Sequence, residues 1–103
     1  MISDSGSLVG KRLREARKEA GLPQDKLGIA IGIDEHSAST RISRYETGVH
    51  EPPFGIVQAL AKVLKTPTAY FYCSDEQLAR VIKNWQKLTA AQREAIASTA
   101  EPS

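Results

Sequence analysis

Cysteine and histidine are almost missing from this chain of 103 residues: Cys73 is the one thiol, and His36 and His50 are the two imidazoles. A lone cysteine cannot close an intramolecular disulfide or supply a zinc cluster, which excludes a disulfide-stapled scaffold. Two histidines leave no multi-histidine site, so neither a metal nor a cofactor is expected. Long apolar runs are missing too; none approaches the roughly 18–20 residues of a membrane span. Residues 1–7 (MISDSGS) lack the basic flank and apolar stretch of a secretory signal. A soluble, cytoplasmic chain without membrane contact is therefore expected. Net charge is scarce as well, with 14 Lys+Arg against 12 Asp+Glu and a formal +2. Bulk charge thus announces no polyanionic partner, and any such partner must be read from where the charges sit.

What the chain does have is helical period. Leu8 or Val9, Leu13, Ala16 and Ala20 form one apolar face, and Gly21 is a natural stop. Pro23 suits the first turn of a second helix with Leu27, Ala30 and Ile31 on its inner side, stopped by Gly32. Asp34 can cap a third helix running to Thr47, with Gly48 as its stop. After the loop 49–53, Phe54, Ile56, Leu60, Val63 and Leu64 mark a fourth helix, and Thr66-Pro67 introduces a short segment from Thr68 to Tyr72. No alternating run competes as a strand, so the fold class is all-α. Beyond it, Ser74 can cap a helix carrying Leu78, Val81, Ile82, Trp85 and Leu88 on one face, and Thr89-x-x-Gln92 has the capping-box pattern of a last helix. The expected organisation is a flexible N-terminus (1–7), a helix-turn-helix domain (8–72) and a C-terminal helical extension (73–103).

Three helices joined by very short turns are a helix-turn-helix candidate. A steep crossing makes the third helix protrude, and a helix about 10–12 Å across fits the major groove, about 12 Å wide. The runs Gly10–Arg17, Gly21–Leu27 and Ile42–Gly48, followed by Glu51-Pro52-Pro53 and the helix Ile56–Leu64, resemble the lambda-repressor/Cro-like (XRE-type) helix-turn-helix family. The resemblance covers about residues 8–72. It implies a five-helix domain that binds double-stranded operator DNA, usually as a symmetric homodimer, and regulates transcription.

The chain departs from the family pattern at three points. Pro23 stands where the family usually has a capping Ser or Thr. Gly28 stands where Ala is usual, inside a helix, at a propensity cost of about 1 kcal/mol. Eight residues, Asp34 to Arg41, fill a stretch that usually holds about four. The insertion is either one extra turn on the recognition helix, roughly 6 Å of axis, or a longer connecting loop. The capping Asp34 and the lack of Gly or Pro over 34–47 favour the helix.

The resemblance places Ser39, Thr40 and Arg44 at base-contacting positions, with Arg41 beside them. A guanidinium can donate twice to guanine O6 and N7, which makes Arg44 the leading candidate for base reading. Gln24 corresponds to a glutamine that holds a phosphate at the start of the second helix, where the free amides also attract anions. Arg12 is a candidate backbone contact, and so are Thr47 and His50 through main-chain amides. Arg17 and Glu46 match a structural ion pair tying the first helix to the end of the third. Leu78, Val81, Ile82, Trp85 and Leu88 either pack back on the bundle or form a dimer or protein-docking face. Asp34, Glu35 and His36 have no nucleophile or phosphate cradle beside them, so no catalytic residue and no enzymatic activity is expected. The leading expectation is a dimeric repressor. The alternatives are the antitoxin of a toxin–antitoxin pair and a protein-interaction adaptor that does not bind DNA.

Overall fold

A computed structural model describes residues 7–102, and every regular element among them is helical. Helix α1 (Leu8–Ala20) starts where the Ser7 hydroxyl accepts the amide of Gly10 at 3.0 Å. Residues 1–6 of the expected flexible N-terminus lie outside the described residues, while Ser7 belongs to the fold as a cap. Helix α2 (Gln24–Ala30) follows Pro23, which stands just ahead of the helix rather than in its first turn and lends its carbonyl to the amide of Leu27. Helix α3 (Glu35–Thr47) is capped by the Asp34 carboxylate, which accepts the His36 amide at 2.9 Å. The eight-residue stretch Asp34 to Arg41 is therefore helical from Glu35 onward, not a loop. Gly21 and Gly48 end α1 and α3 in left-handed backbone (φ +72° and +82°) that side chains with a Cβ rarely adopt.

Helix α4 (Phe54–Val63) and a 3-10 segment (Thr68–Tyr72) close the bundle, so the expected fifth helix is a single tight turn. Leu13, Leu27, Ile42, Leu60, Val57 and Phe71 are fully buried, and every one of these five elements supplies at least one of them. Gly28 faces α3 so closely that an added Cβ would lie 2.7 Å from the Ala38 Cβ and 3.0 Å from its Cα and carbonyl oxygen. The glycine that looks like a propensity defect is thus what lets α2 and α3 touch backbone to backbone.

The C-terminal part departs further from expectation. Helix α5 (Glu76–Asn84) is capped by Asp75, whose carboxylate accepts the Leu78 amide at 2.8 Å, and not by Ser74. It ends at Asn84, and Trp85–Lys87 form a 3-10 turn leading to the extended Leu88. The five-residue face therefore breaks after Ile82. Ile82 packs against the core, Leu78 and Val81 stay exposed, and Trp85 and Leu88 belong to the elbow. Thr89 and Gln92 form the expected reciprocal capping box at the start of α6 (Ala90–Ala100).

Ala79 of α5 joins the same core as α1 and α4. A buried arginine ties α5 down. Arg12 is 1% exposed and donates from Nε and Nη2 to the Cys73 carbonyl (2.9 and 2.8 Å), and from Nη1 to Glu15 and Glu76 (3.1 Å each). Its guanidinium lies 5.4 Å from the centre of the Tyr70 ring. Burial works against its charge, but the bonds and attraction of Glu76 and Glu15 outweigh it and raise its pKa above the ordinary arginine value. No helix among the described residues is long and apolar enough to cross a membrane.

Candidate nucleic-acid interface

Helix α3 has an inner and an outer face set by its 3.6-residue period. Ala38, Ile42, Tyr45 and Glu46 point inward and are buried. Ser39, Thr40, Arg41 and Arg44 share the exposed side, with Glu35, His36 and Ser37 exposed at the N-terminal end. Thirteen residues at 1.5 Å each give α3 about 20 Å of axis, nearly four turns. The four residues expected at bases therefore come together on one solvent-facing surface.

Behind this surface lies a polar network. The Arg17 guanidinium donates to both oxygens of the Glu46 carboxylate (2.5 and 3.2 Å) and to the Leu22 carbonyl (3.0 Å). The ion pair expected between α1 and the end of α3 is thus present, with the carboxylate 1% and the guanidinium 12% exposed. Gln24 adds a link that sequence reasoning missed: its amide nitrogen donates to Glu46 (3.1 Å), and its amide oxygen accepts from the Ser39 hydroxyl (3.3 Å). Gln24 thereby joins the start of α2 to the outer face of α3. Among the described residues, no buried side-chain nitrogen or oxygen lacks a partner. A charge network so fully satisfied fixes geometry more than it adds net stability.

Two expectations for backbone contacts need correction. Arg12 cannot reach a phosphate, because it is enclosed by Tyr70, Glu15, Glu76 and the Cys73 carbonyl. The signal was present in the period: Arg12 stands three residues after Val9 and four before Ala16, on the buried face of α1. The main-chain amide of His50 is also occupied, donating to the Arg44 carbonyl at 3.2 Å. The Thr47 hydroxyl donates to the Ser43 carbonyl at 3.0 Å, and the side chains of Thr47 and His50 are both exposed. What these two positions offer an incoming phosphate is side chain rather than main chain.

A short helix, a tight turn and a longer helix with a polar outer face make up a helix-turn-helix. The family model described as a helix-turn-helix domain matches residues 8–69, well over half of the chain. The chain belongs to this family, and the XRE-type motifs read in its sequence lie within the matched stretch. Among curated proteins, it is 34% identical over 64 residues to an uncharacterized HTH-type transcriptional regulator of Sinorhizobium fredii. It is 31% identical over 64 residues to another from Sinorhizobium medicae. These alignments cover 62% of this chain but 42% and 43% of the relatives, so the chain spans less than half the length of the curated proteins it matches. Among solved structures, it is similar to the crystal structure of the transcriptional regulator BswR, with TM-score 0.82 and 39% identity over 87% of this chain and 89% of that one. The segment is a helix-turn-helix domain of the kind that transcriptional regulators carry.

Proposed function

We propose that the protein is a DNA-binding transcriptional regulator that acts as a homodimeric repressor and reads operator DNA in the major groove with α3. The observation that carries this reading is the outer face of α3. Ser39, Thr40, Arg41 and Arg44 project to solvent from a helix whose rear is locked by Ile42, Tyr45 and the Arg17–Glu46–Gln24 network. Arg44 and Arg41 supply donors for guanine edges, while the two hydroxyls serve bases or phosphates. Gln24, Thr47 and His50 flank this face as the backbone contacts. In this reading, Gln24 positions Ser39 through its amide oxygen and meets a phosphate with the amide N–H that Glu46 leaves free. The domain division at 72/73 separates the reading part from an extension that brings two copies together. A two-fold pair sets its reading helices about 34 Å apart, one turn of DNA. Bound there, the dimer would block access to the operator.

Selection of duplexes from a random library tests the proposal. The wild type should return a symmetric motif, and its binding should weaken with salt. Arg44→Ala should relax preference at one position of each half-site, at a cost of about 1–3 kcal/mol for the cognate base. Recovery of an identical motif by both proteins would remove Arg44 from the reading surface, and no selection at low salt would reject DNA binding.

A further inference from the structure

On α3 the residues Ser39, Thr40, Arg41 and Arg44 are preceded by one more turn, which begins at Glu35. That turn is seated rather than frayed. Asp34 caps it twice, with its carboxylate on the His36 amide and its carbonyl on the Ser37 amide, both at 2.9 Å. On the inner side, Ala38 is buried against Gly28 of α2, where an added Cβ would meet the Ala38 Cβ at 2.7 Å. A glycine inside a helix costs about 1 kcal/mol of propensity, and here it admits the close seat of this one turn. The long α3 and the glycine therefore explain each other: α2 lacks a side chain at the place where the start of α3 must lie.

Residues three and four apart share a helix face. His36, Thr40 and Arg44 follow one another at steps of four, and Ser37 stands one turn before Arg41. The outer stripe of α3 thus runs unbroken from His36 to Arg44. Glu35 falls one turn before Ser39, on the flank turned to Gln24, and the Asp34 carboxylate is used by the cap. The amides of His36 and Ser37 serve that cap, while their side chains are exposed and make no bond among the described residues.

We propose that His36 and Ser37 read base edges, and that this turn lengthens the half-site which α3 reads in the major groove. The assignment deepens the function proposed above and rests on α3 being its reading helix. Charge favours bases over phosphates at this end of the helix. The carboxylates of Asp34 and Glu35 flank it and repel a phosphate backbone. Base edges carry no formal charge, and they present donors at cytosine N4 and adenine N6 beside the acceptors N7, O6 and O4. A hydroxyl and an imidazole each offer a donor and an acceptor, so both suit such edges. From His36 to Arg44 the stripe covers about 12 Å of helix axis, against about 6 Å from Thr40 to Arg44. Base pairs stack about 3.4 Å apart, so a helix lying along the groove sets the His36 contact about three to four base pairs from that of Arg44. Fixed by its cap and its seat on Gly28, the turn has little left to order when it binds.

Duplex selection with the full chain tests this, comparing the wild type, Arg44→Ala and a double variant, His36→Ala with Ser37→Ala. Both positions are exposed and alanine suits a helix, so circular dichroism and the urea midpoint of the double variant should hold. The double variant should keep the preference that Arg44→Ala relaxes and lose one about three to four base pairs away in each half-site. Its affinity for the wild-type motif should fall about tenfold. The slope of affinity against salt should stay as in the wild type, because no phosphate contact is removed. A double variant with the wild-type motif and affinity would overturn the proposal and leave the turn as a solvated end. A salt slope smaller by about one would overturn it too, by assigning these side chains to phosphate. Either result, with Arg44→Ala still relaxing the motif, leaves the function proposed above standing. A wild type that selects no duplex at low salt would instead refute that function and this assignment together.

Discussion

Replacing Gly28 by alanine sets two effects of opposite sign against each other. In an open helix the change gains about 1 kcal/mol of helix propensity. Here the new methyl would sit 2.7 Å from the Ala38 Cβ and 3.0 Å from the Ala38 Cα and carbonyl oxygen. None of those atoms is the end of a flexible side chain, so α2 must move away from α3 as a body. Overpacking of this kind costs typically about 1–3 kcal/mol. The expected outcome is a net loss of about 1 kcal/mol, read as a lower urea midpoint with unchanged slope. In an Ala38→Gly background the penalty should shrink, since the methyl–methyl clash is gone while the backbone approach remains; the two changes should couple by about 1 kcal/mol. Because Ala38 is on the helix that carries Ser39 and Thr40, DNA affinity should fall along with stability. A Gly28→Ala protein more stable than the wild type would refute the close-packing account and leave the glycine as a defect.

Two further outcomes follow from the arginine under α5 and from the charge pairs around it. Arg12→Met should cost about 2–3 kcal/mol by leaving the Cys73 carbonyl without its donors. It should not change the slope of DNA affinity against salt, whereas a lost phosphate contact would lower that slope by about one. Stability should also decline at both ends of the pH scale. Hydrogen bonds from Lys11 and Arg12 hold the Glu76 carboxyl below its ordinary value, and a hydrogen bond from Lys83 does so for Glu19. The folded state thus takes up their protons later than the unfolded one, so the stability they add is present above the ordinary carboxyl range and lost as the pH falls through it. Tyr70 works in the opposite direction: burial, then the charge of Glu15, pushes its phenol up to about 12, so its contribution is lost as the pH rises from about 10 towards 12. Ultraviolet difference titration should show a late phenolate that Tyr70→Phe removes; loss of an early phase instead would refute this.

Much of the bundle was legible because glycine stops and polar caps act locally. The ends of α1 and α3, the cap at Asp34, the extra turn of α3 and the box at Thr89 all follow from a few neighbouring residues. The Arg17–Glu46 pair was legible through the family resemblance, and so were the outward positions Ser39, Thr40, Arg41 and Arg44. What escaped depends on contacts between distant segments. Charge made Arg12 read as a surface residue, because its acceptor is a carbonyl 61 positions away. The link from Gln24 to Glu46 and Ser39 needs the α2–α3 crossing, which no local pattern specifies. The break after Ile82 was hidden because apolar spacing continued through Trp85 and Leu88 while the backbone did not.

The bond from Arg12 to residue 73 reaches main chain, and a carbonyl is the same whatever side chain it belongs to. Changes at position 73 therefore leave these two bonds intact, and the side chains that must be kept are Arg12 and the carboxylates of Glu15 and Glu76. An arm grafted from another member of the fold would dock here provided its backbone followed the same path past Tyr70 and it kept a carboxylate at position 76 and a cation at position 83. The helix-turn-helix bundle and its C-terminal arm are in this sense separable parts, joined by a fitting that reads two side chains of the arm and otherwise only its backbone.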